Sequence, residues 1–568
     1  MSNLFRRPWR RALIGVAALT SLTAATITTA TAGGERAESN ARAQHVLLIS
    51  VDGLHQTDLA WYIQHHPDSA LAALVKKGVE FTRAQAPVPT DSFPGMVGQV
   101  TGGNPKSTGI YYDDSWNAAL LPAGTTSCAG AAPGVEVTYF EQLARNPLSL
   151  DSGAGLTGLP DSILRLTGHP ETLIDPSQLP VDPATCKPVY PHQYLKVNTV
   201  FEVVRAAGLR TAWSDKHAAY EVLDGPSGTG IQDLFTPEIN SDAPVEGSGQ
   251  GDWTKDNTRT QQYDSYKVQA VLNEINGFDH SGVNRVGTPA IFGMNFQTVS
   301  TGEKLPRSPV VPGGPKFTGG YLADGVTPGP VLSAALDYIN AKVATMVATI
   351  KARHLDRNTV IILSAKHGQS PNTPSALTRI PDGPIIDALN AAWAVTHPGA
   401  TLVAFSVNDD GMLIWLTDRS QVAANFARDF LAAHAGVGND INGNPKPYTG
   451  SGLATIYAGA AAAQYFGVPV ADARVPDIFG VAQYGTVYTG GNGKIAEHGG
   501  ANPQDRNVAL VVSGGPVAHQ EVNSGWVETT QIAPTILQLL GINPNALQAV
   551  RLEGTRALPV IDRASADR

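Results

Sequence analysis

Only two cysteines, Cys128 and Cys186, occur in the 568 residues, and their spacing matches no zinc site. That excludes cysteine-ligated metal chemistry and a small fold stapled by many disulfides. Basic residues are in the minority. The 40 Lys and Arg against 49 Asp and Glu leave a formal charge of −9, which offers no footprint for a nucleic-acid duplex. Beyond the N-terminus no uninterrupted apolar run reaches the length of a membrane span, and no internal repeat is visible. What remains, with 42% hydrophobic and 16% charged residues, is a soluble globular chain with ample core. Its length admits several domains or one α/β core with insertions.

The first residues read MSNLFRRPWRRALIGVAALTSLTAATITTATAGG. A basic head, an apolar run and a small-residue stretch make residues 1–32 a signal peptide cleaved near Ala32, with 33–42 a linker. Arg10-Arg11 fits a twin-arginine leader as well as a general secretory one. A membrane anchor is the other reading of the same segment, although it is short and Thr/Ala-rich for a span. The expectation is a secreted, periplasmic or extracellular protein with no membrane span after cleavage. Export is compatible with one disulfide between Cys128 and Cys186, on a Gly/Pro-rich excursion over 115–192; two buried thiols are the alternative.

Continuous apolar runs bounded by turn residues mark buried strands. They occur at Val46–Val51, Pro289–Phe296 and Thr359–Ser364, with a long helical pattern at Pro330–His354 before the third. Strand, helix and strand in that order indicate a right-handed parallel crossover. Residues 372–470 read as an inserted α+β subdomain with a hairpin turn at Asn408-Asp409-Asp410-Gly411. Core strands are expected to resume at Pro476–Val481 and Asn507–Ser513. The expected architecture is α/β: a mostly parallel central sheet flanked by helices, formed by 43–371 and 471–545. Residues 546–568 are expected to be a C-terminal tail.

The stretch that organises the chain is PVPTDSFPGMVGQVTGGNPKSTGIYYDD, Pro87–Asp114. Pro94 belongs in a first helical turn, which makes Ser92 the expected cap of a helix through Val100. A hydroxyl there stands among unpaired N–H groups at the positive end of a helix, where phosphate oxygens are stabilised. Ser92 as an ordinary N-cap is the competing reading. Upstream, Val46–Val51 ends at Asp52-Gly53, and in open α/β sheets ligands bind at the carboxyl ends of strands.

SVDG, PTDSFPG and TGGNPKSTGIYYDD together resemble the opening motifs of the alkaline phosphatase superfamily. The resemblance is to its type I phosphodiesterase/nucleotide pyrophosphatase branch. It implies an alkaline-phosphatase-like sheet, one or two divalent metal ions such as zinc, Asp52 as a ligand, and Ser92 as both nucleophile and ligand. Thr90 is the weaker candidate. It further implies metal-binding imidazoles at His367, after TVIILSAK, and His498, in AEHGG. Three positions depart. Val299 and Glu303 stand where an Asp-x-x-x-His loop is expected, and Lys366 stands where an aspartate should precede His367. Glu303 reads equally as a substitute ligand and as an ordinary carboxylate. Lys366 reads as a catalytic ammonium clamping phosphoryl oxygens beside a remaining ion. Asp279-His280-Ser281-Gly282 has the look of the missing motif but precedes its strand and is rejected. Asp215 and His217, at another strand end, are candidates to bind substrate or complete a metal shell, or belong to a salt-bridged loop. Tyr111 and Tyr112 are placed to stack on a substrate or to be core. A sulfatase is excluded because the arginine of its motif is missing after Ser92.

The expected function is therefore an exported, metal-dependent phosphoesterase of phosphodiesterase or pyrophosphatase type. It would act on small phosphate esters or diesters through a phospho-serine. A single-metal phosphotransferase and an inactive phosphate-binding relative are the rivals.

Overall fold

The computed structural model describes residues 42–560 apart from 140–142, 159–161, 244–250 and 518–519. The signal peptide and almost all of the linker, and the last residues of the chain, lie outside the described residues.

Strand β1 (His45–Val51) is the axis of an eight-stranded sheet. The other strands are β2 (Gly78–Phe81), β3 (Trp213–Ser214), β4 (Leu234–Phe235), β5 (Ile291–Phe296), β6 (Thr359–Ser364), β7 (Val511–Ser513) and β8 (Glu521–Asn523). The order across the sheet is β8-β2-β7-β6-β1-β5-β3-β4. β1 pairs in parallel with β5 and β6 and every strand but β7 runs its way, β7 being antiparallel to β6 and β2. β1, β5 and β6 are apolar along most of their length because helices cover both faces.

Five helices position the site: α1 (Gln56–His65), α2 (Ser92–Thr101), α3 (Asn257–Ile275), α4 (Thr298–Lys304) and α5 (Pro330–Ala352). α5 is the one helix among the described residues long and apolar enough to cross a membrane. Leu332, Leu336, Ile339, Val343 and Met346 bury one side of it in the core.

Two sequence expectations need correction. The strand expected over Pro476–Val481 forms at Ile478–Ala482, but not in the central sheet. It pairs with 411–416 and 453–458 in a separate antiparallel four-stranded sheet. A strand's own residues fix its burial but not which edge receives it, so this choice was not visible locally. The expected tail is also partly built in: Gln548–Glu553 is helical, and Leu547, Ala549 and Val550 are buried against the main core. The excursion over 115–192 carries two short hairpins and is closed by the Cys128–Cys186 disulfide.

Candidate functional site

The carboxyl ends of β1, β3, β5 and β6 deliver Asp52, Lys216, Gln297 and the Lys366-His367 pair to one place. Gly53 turns the chain just after Asp52 with φ +88°; a Cβ there would meet Glu303 Oε2 at 2.9 Å. Asp52 is 1% exposed. Its Oδ1 accepts from Asn295 Nδ2 at 2.7 Å and its Oδ2 from Gln297 Nε2 at 2.5 Å. Lys216 Nζ lies 3.6 Å from Oδ2 and Lys366 Nζ 3.9 Å from Oδ1. Burial alone raises a carboxyl pKa, but the two ammonium groups outweigh it and hold Asp52 far below the usual range.

Ser92 is not the helix cap. Asp91 takes that position, its Oδ2 accepting from Phe93 N at 2.9 Å and from Asp113 N at 3.0 Å. Ser92 is the first helical residue, so its hydroxyl is released from capping. Lys216 Nζ donates to Ser92 Oγ at 3.2 Å, and His367 Nε2 stands 3.2 Å from the same oxygen. His367 Nδ1 is 2.9 Å from the Gly368 carbonyl oxygen. A carbonyl only accepts, so Nδ1 carries the hydrogen and Nε2 presents a lone pair to Ser92. Burial drives the His367 pKa down to about 3 and that of His498 well below its ordinary value, so both rings are neutral. The rings stack with centroids 3.6 Å apart. His498 Nδ1 has no hydrogen-bond partner among the described residues. α2 and the Lys366 loop touch closely, since a Cβ on Gly95 would come within 2.4 Å of the Lys366 carbonyl oxygen.

Ser92 and Lys216 border a cavity of about 410 Å³ whose walls also include Gln297, Lys304, Lys494 and His498, while Asp52, Lys366 and His367 are buried and do not line it. Asp91, Asp113, Asp409 and Glu497 also line it, so its charge is mixed. Tyr112 lines the cavity and donates its hydroxyl to Asp409 Oδ2 at 2.6 Å. His217 lines it with Nδ1 2.7 Å from Glu238 Oε1.

Several expected residues are placed elsewhere. Tyr111 is core, edge-on to Phe466 at 5.2 Å. Thr90 is fully buried, donating to Gly500 O and accepting from Gly499 N, so its hydroxyl anchors the loop carrying His498. Asp215 lies beneath the cavity, bonded by Trp213 Nε1 at 2.9 Å and Lys366 Nζ at 3.2 Å. Lys366 does not reach the cavity as a clamp for phosphate. It is fully buried, with Nζ on Asp215 and on the Tyr220 hydroxyl at 2.8 Å. Glu303 turns away from Ser92 into a sealed cluster with His55, Asp58 and Tyr321.

That cluster has metal-site spacing: His55, Asp58 and Glu303 bring one ligand atom each within 4.8 Å of one another. Its protons are those of an ion pair. His55 Nδ1 stands 2.8 Å from Asp58 Oδ2 and 3.2 Å from Glu303 Oε1, and Nε2 stands 2.8 Å from the Gln369 carbonyl. Burial lowers a histidine pKa, but Glu303 and Asp58 outweigh it and raise that of His55 well above its ordinary value. An ion bound there would have to displace the His55 proton.

A divalent ion at Ser92 does not fit the residues present. Both Asp52 oxygens are taken by amides, Val299 is core, Glu303 is turned away, and an ammonium replaces the carboxylate before His367. Lys216, which reaches Ser92 and lines the cavity, is the residue that sequence reasoning passed over while choosing its neighbours Asp215 and His217. The signal was present: with three ligand positions lost, the remaining carboxylate needs another cation.

A mixed, mostly parallel sheet with these groups at its strand ends defines the alkaline-phosphatase-like class. The alkaline phosphatase PafA aligns over 88% of this chain and 96% of its own at 13% identity, TM-score 0.55. Murine and human ectonucleotide pyrophosphatase/phosphodiesterase 5 align over the same shares at 14% identity, TM-score 0.50. The model of the type I phosphodiesterase/nucleotide pyrophosphatase family matches residues 46–127, from β1 through Ser92 and beyond. Residues 46–127 are thus similar to the type I phosphodiesterase/nucleotide pyrophosphatase family, and the solved structures show an alkaline-phosphatase-like fold. No curated protein sequence matches it.

Proposed function

We propose that the protein is an exported phosphoric ester hydrolase that cleaves small phosphate diesters or pyrophosphates through a phospho-serine at Ser92. The observation that carries this reading is the Ser92 hydroxyl. It stands at the N-terminus of α2, at the wall of the cavity, 3.2 Å from an ammonium. Helix N–H groups and a fixed cation stabilise phosphoryl oxygens as negative charge shifts during attack. An inactive murine ectonucleotide pyrophosphatase/phosphodiesterase 5 is recorded in complex with AMP, which supports a small phosphate ester as ligand. Export is supported by the basic-apolar N-terminal pattern and by the Cys128–Cys186 disulfide.

The test is hydrolysis of bis(4-nitrophenyl) phosphate by the purified chain, with acid-quench mass spectrometry of the peptide carrying Ser92. Turnover with an 80-dalton adduct (HPO₃) from a pyrophosphate substrate, or the corresponding aryl phosphoryl adduct, supports the reading (about one adduct per chain at most). Binding of phosphate without turnover at any pH places the chain with inactive relatives instead, a reading favoured by Val299 and Lys366 standing where metal ligands are expected.

A further inference from the structure

The site next to Ser92 is built around ammonium groups where the resemblance implies metal ions, and this disagreement has a mechanistic content. We propose that phosphoryl transfer at Ser92 is metal-independent, with Lys216 as the cation that meets the phosphoryl oxygens and His367 Nε2 as the base that takes the Ser92 proton. The proposal rests on the reading of the chain as a phosphoester hydrolase and names the groups that carry it out.

The hydrogen-bond directions around Ser92 leave one arrangement. Lys216 has only hydrogens to give, so Ser92 Oγ accepts from it at 3.2 Å. His367 Nδ1 holds its hydrogen on the Gly368 carbonyl, so the Ser92 hydrogen points to Nε2, also at 3.2 Å. The oxygen is thereby polarised from one side and hydrogen-bonded to a neutral nitrogen on the other; burial keeps that nitrogen a weak base, so it takes the proton only as the Oγ–P bond forms. Lys216 is held by Asp52 Oδ2 at 3.6 Å and Gln297 Oε1 at 3.4 Å while still lining the cavity. A phosphoryl group attacked by Ser92 Oγ brings its oxygens beside the same ammonium. Lys366 closes the other side: its Nζ sits between Asp215 and Asp52 in the buried floor, where a metal ligand is expected. Lys216 and Lys366 neutralise Asp52 and Asp215, so the floor carries no unpaired carboxylate to attract a divalent ion.

In the first step the Ser92 Oγ–P bond forms and the bond from phosphorus to the leaving oxygen breaks. The Ser92 proton passes to His367 Nε2, and the leaving oxygen takes a proton from water in the cavity. In the second, a water oxygen attacks phosphorus and the Ser92 Oγ–P bond breaks. The proton on His367 returns to Ser92 Oγ, and one proton of the attacking water replaces the one that solvent gave. The sum is ester plus water to acid plus alcohol.

The test uses the whole secreted chain, stripped with EDTA and 1,10-phenanthroline and assayed by elemental analysis, bis(4-nitrophenyl) phosphate hydrolysis and calorimetric binding of orthovanadate. Expected is turnover within about twofold of the untreated protein at negligible metal content, unchanged by added zinc or magnesium. In the stripped protein Lys216→Gln loses about 10²- to 10³-fold in kcat and loses vanadate binding, while Lys216→Arg keeps part of both. His367→Gln loses kcat but retains vanadate binding, and each variant's thermal transition shows whether it folds. Loss of turnover on stripping, with recovery on adding zinc, overturns the inference and leaves the hydrolase reading in place. Full activity in Lys216→Gln overturns it as well. Absence of turnover and of a serine adduct in the untreated protein overturns both.

Discussion

Two polar clusters flank the turn after β1, Asp52 belonging to one and His55, three positions on, to the other, and they are made of similar kinds of side chain. On one side Ser92 and Lys216 border the cavity, with Asp52 and His367 buried behind them. On the other, His55, Asp58, Glu303 and Tyr321 are sealed, with the three ionisable groups 2% exposed or less. Both pair carboxylates with a nitrogen base. They differ in where the proton sits. In the sealed cluster, His55 is pinned between two carboxylates and Tyr321 donates to both Asp58 and Glu303, at 2.7 and 3.1 Å. Every group is committed to another. Beside the cavity, His367 keeps a neutral nitrogen facing a hydroxyl and His498 keeps one facing no partner among the described residues. Reactivity follows from uncommitted lone pairs next to open volume, whereas ligand-type residues at ligand spacing can form a structural ion pair.

The contrast can be broken most forcefully at Ser92. Ser92→Ala is expected to reduce diester hydrolysis about 10⁴-fold or more with little change in melting temperature, since the Ser92 hydroxyl caps nothing. Steady-state kinetics beside a thermal melt checks both halves. On the sealed side the effects should be reversed. Glu303→Ala leaves His55 and Asp58 short of a partner and is expected to cost about 3–5 kcal/mol in a urea titration. Turnover per folded molecule should be unchanged; a matching loss of kcat would make the two clusters one site.

Charge sharpens the comparison further. With Asp52 and Asp215 balanced by two lysines, and five more carboxylates against three more lysines on the cavity wall, the site has little net positive charge for a dianion. A diester with one charge should therefore be preferred over the corresponding aryl monoester, by about tenfold or more in kcat/KM at low salt. Equal rates for the two would show more positive charge at Ser92 than the side chains provide.

A remote histidine–carboxylate pair supplies the smallest effect and a baseline. His280 Nδ1 bonds Asp233 and its Nε2 bonds the Leu166 carbonyl at 2.7 Å. Burial lowers the His280 pKa, but the Asp233 contact outweighs it and the net shift is upward; burial raises that of Asp233, but His280 outweighs it and the net shift is downward. The His280 contribution is thus full below about pH 6.5 and is lost as pH rises through its higher folded value. The Asp233 contribution is present above about pH 3.9 and is lost as pH falls through its lower folded value. Unfolding free energies of wild type and His280→Gln should differ most near pH 5, by of order 1 kcal/mol, and converge toward pH 9. A difference independent of pH would remove the ionic component.

Much of this was readable in the chain because the groups concerned follow runs that can only be buried strands. Asp52 after HVLLISV and Lys366-His367 after TVIILS had to emerge at one edge of a parallel sheet, and Ser92 at a proline-marked helix start had to face them. What each group would touch was not readable. Nothing local distinguishes Asp91 from Ser92 as the cap. The direction of Glu303 depends on His55 and Tyr321, which lie 248 positions before it and 18 after it. Lys366 is drawn into the floor by Asp215 and Tyr220, about 150 positions earlier. Tyr111 and Tyr112 are adjacent and share one buried apolar cluster, yet only Tyr112 also lines the cavity.

The bare backbone at Gly95 sets a limit on how this centre can change. With the Ser92 helix resting directly on the carbonyl of Lys366, there is no slack through which the serine and the imidazole after that lysine could drift apart singly. A single added methyl would act as a wedge, prying both away from each other at once. Any redesign that seeks room for an ion between them has to begin by remaking this seam rather than by exchanging side chains at the rim.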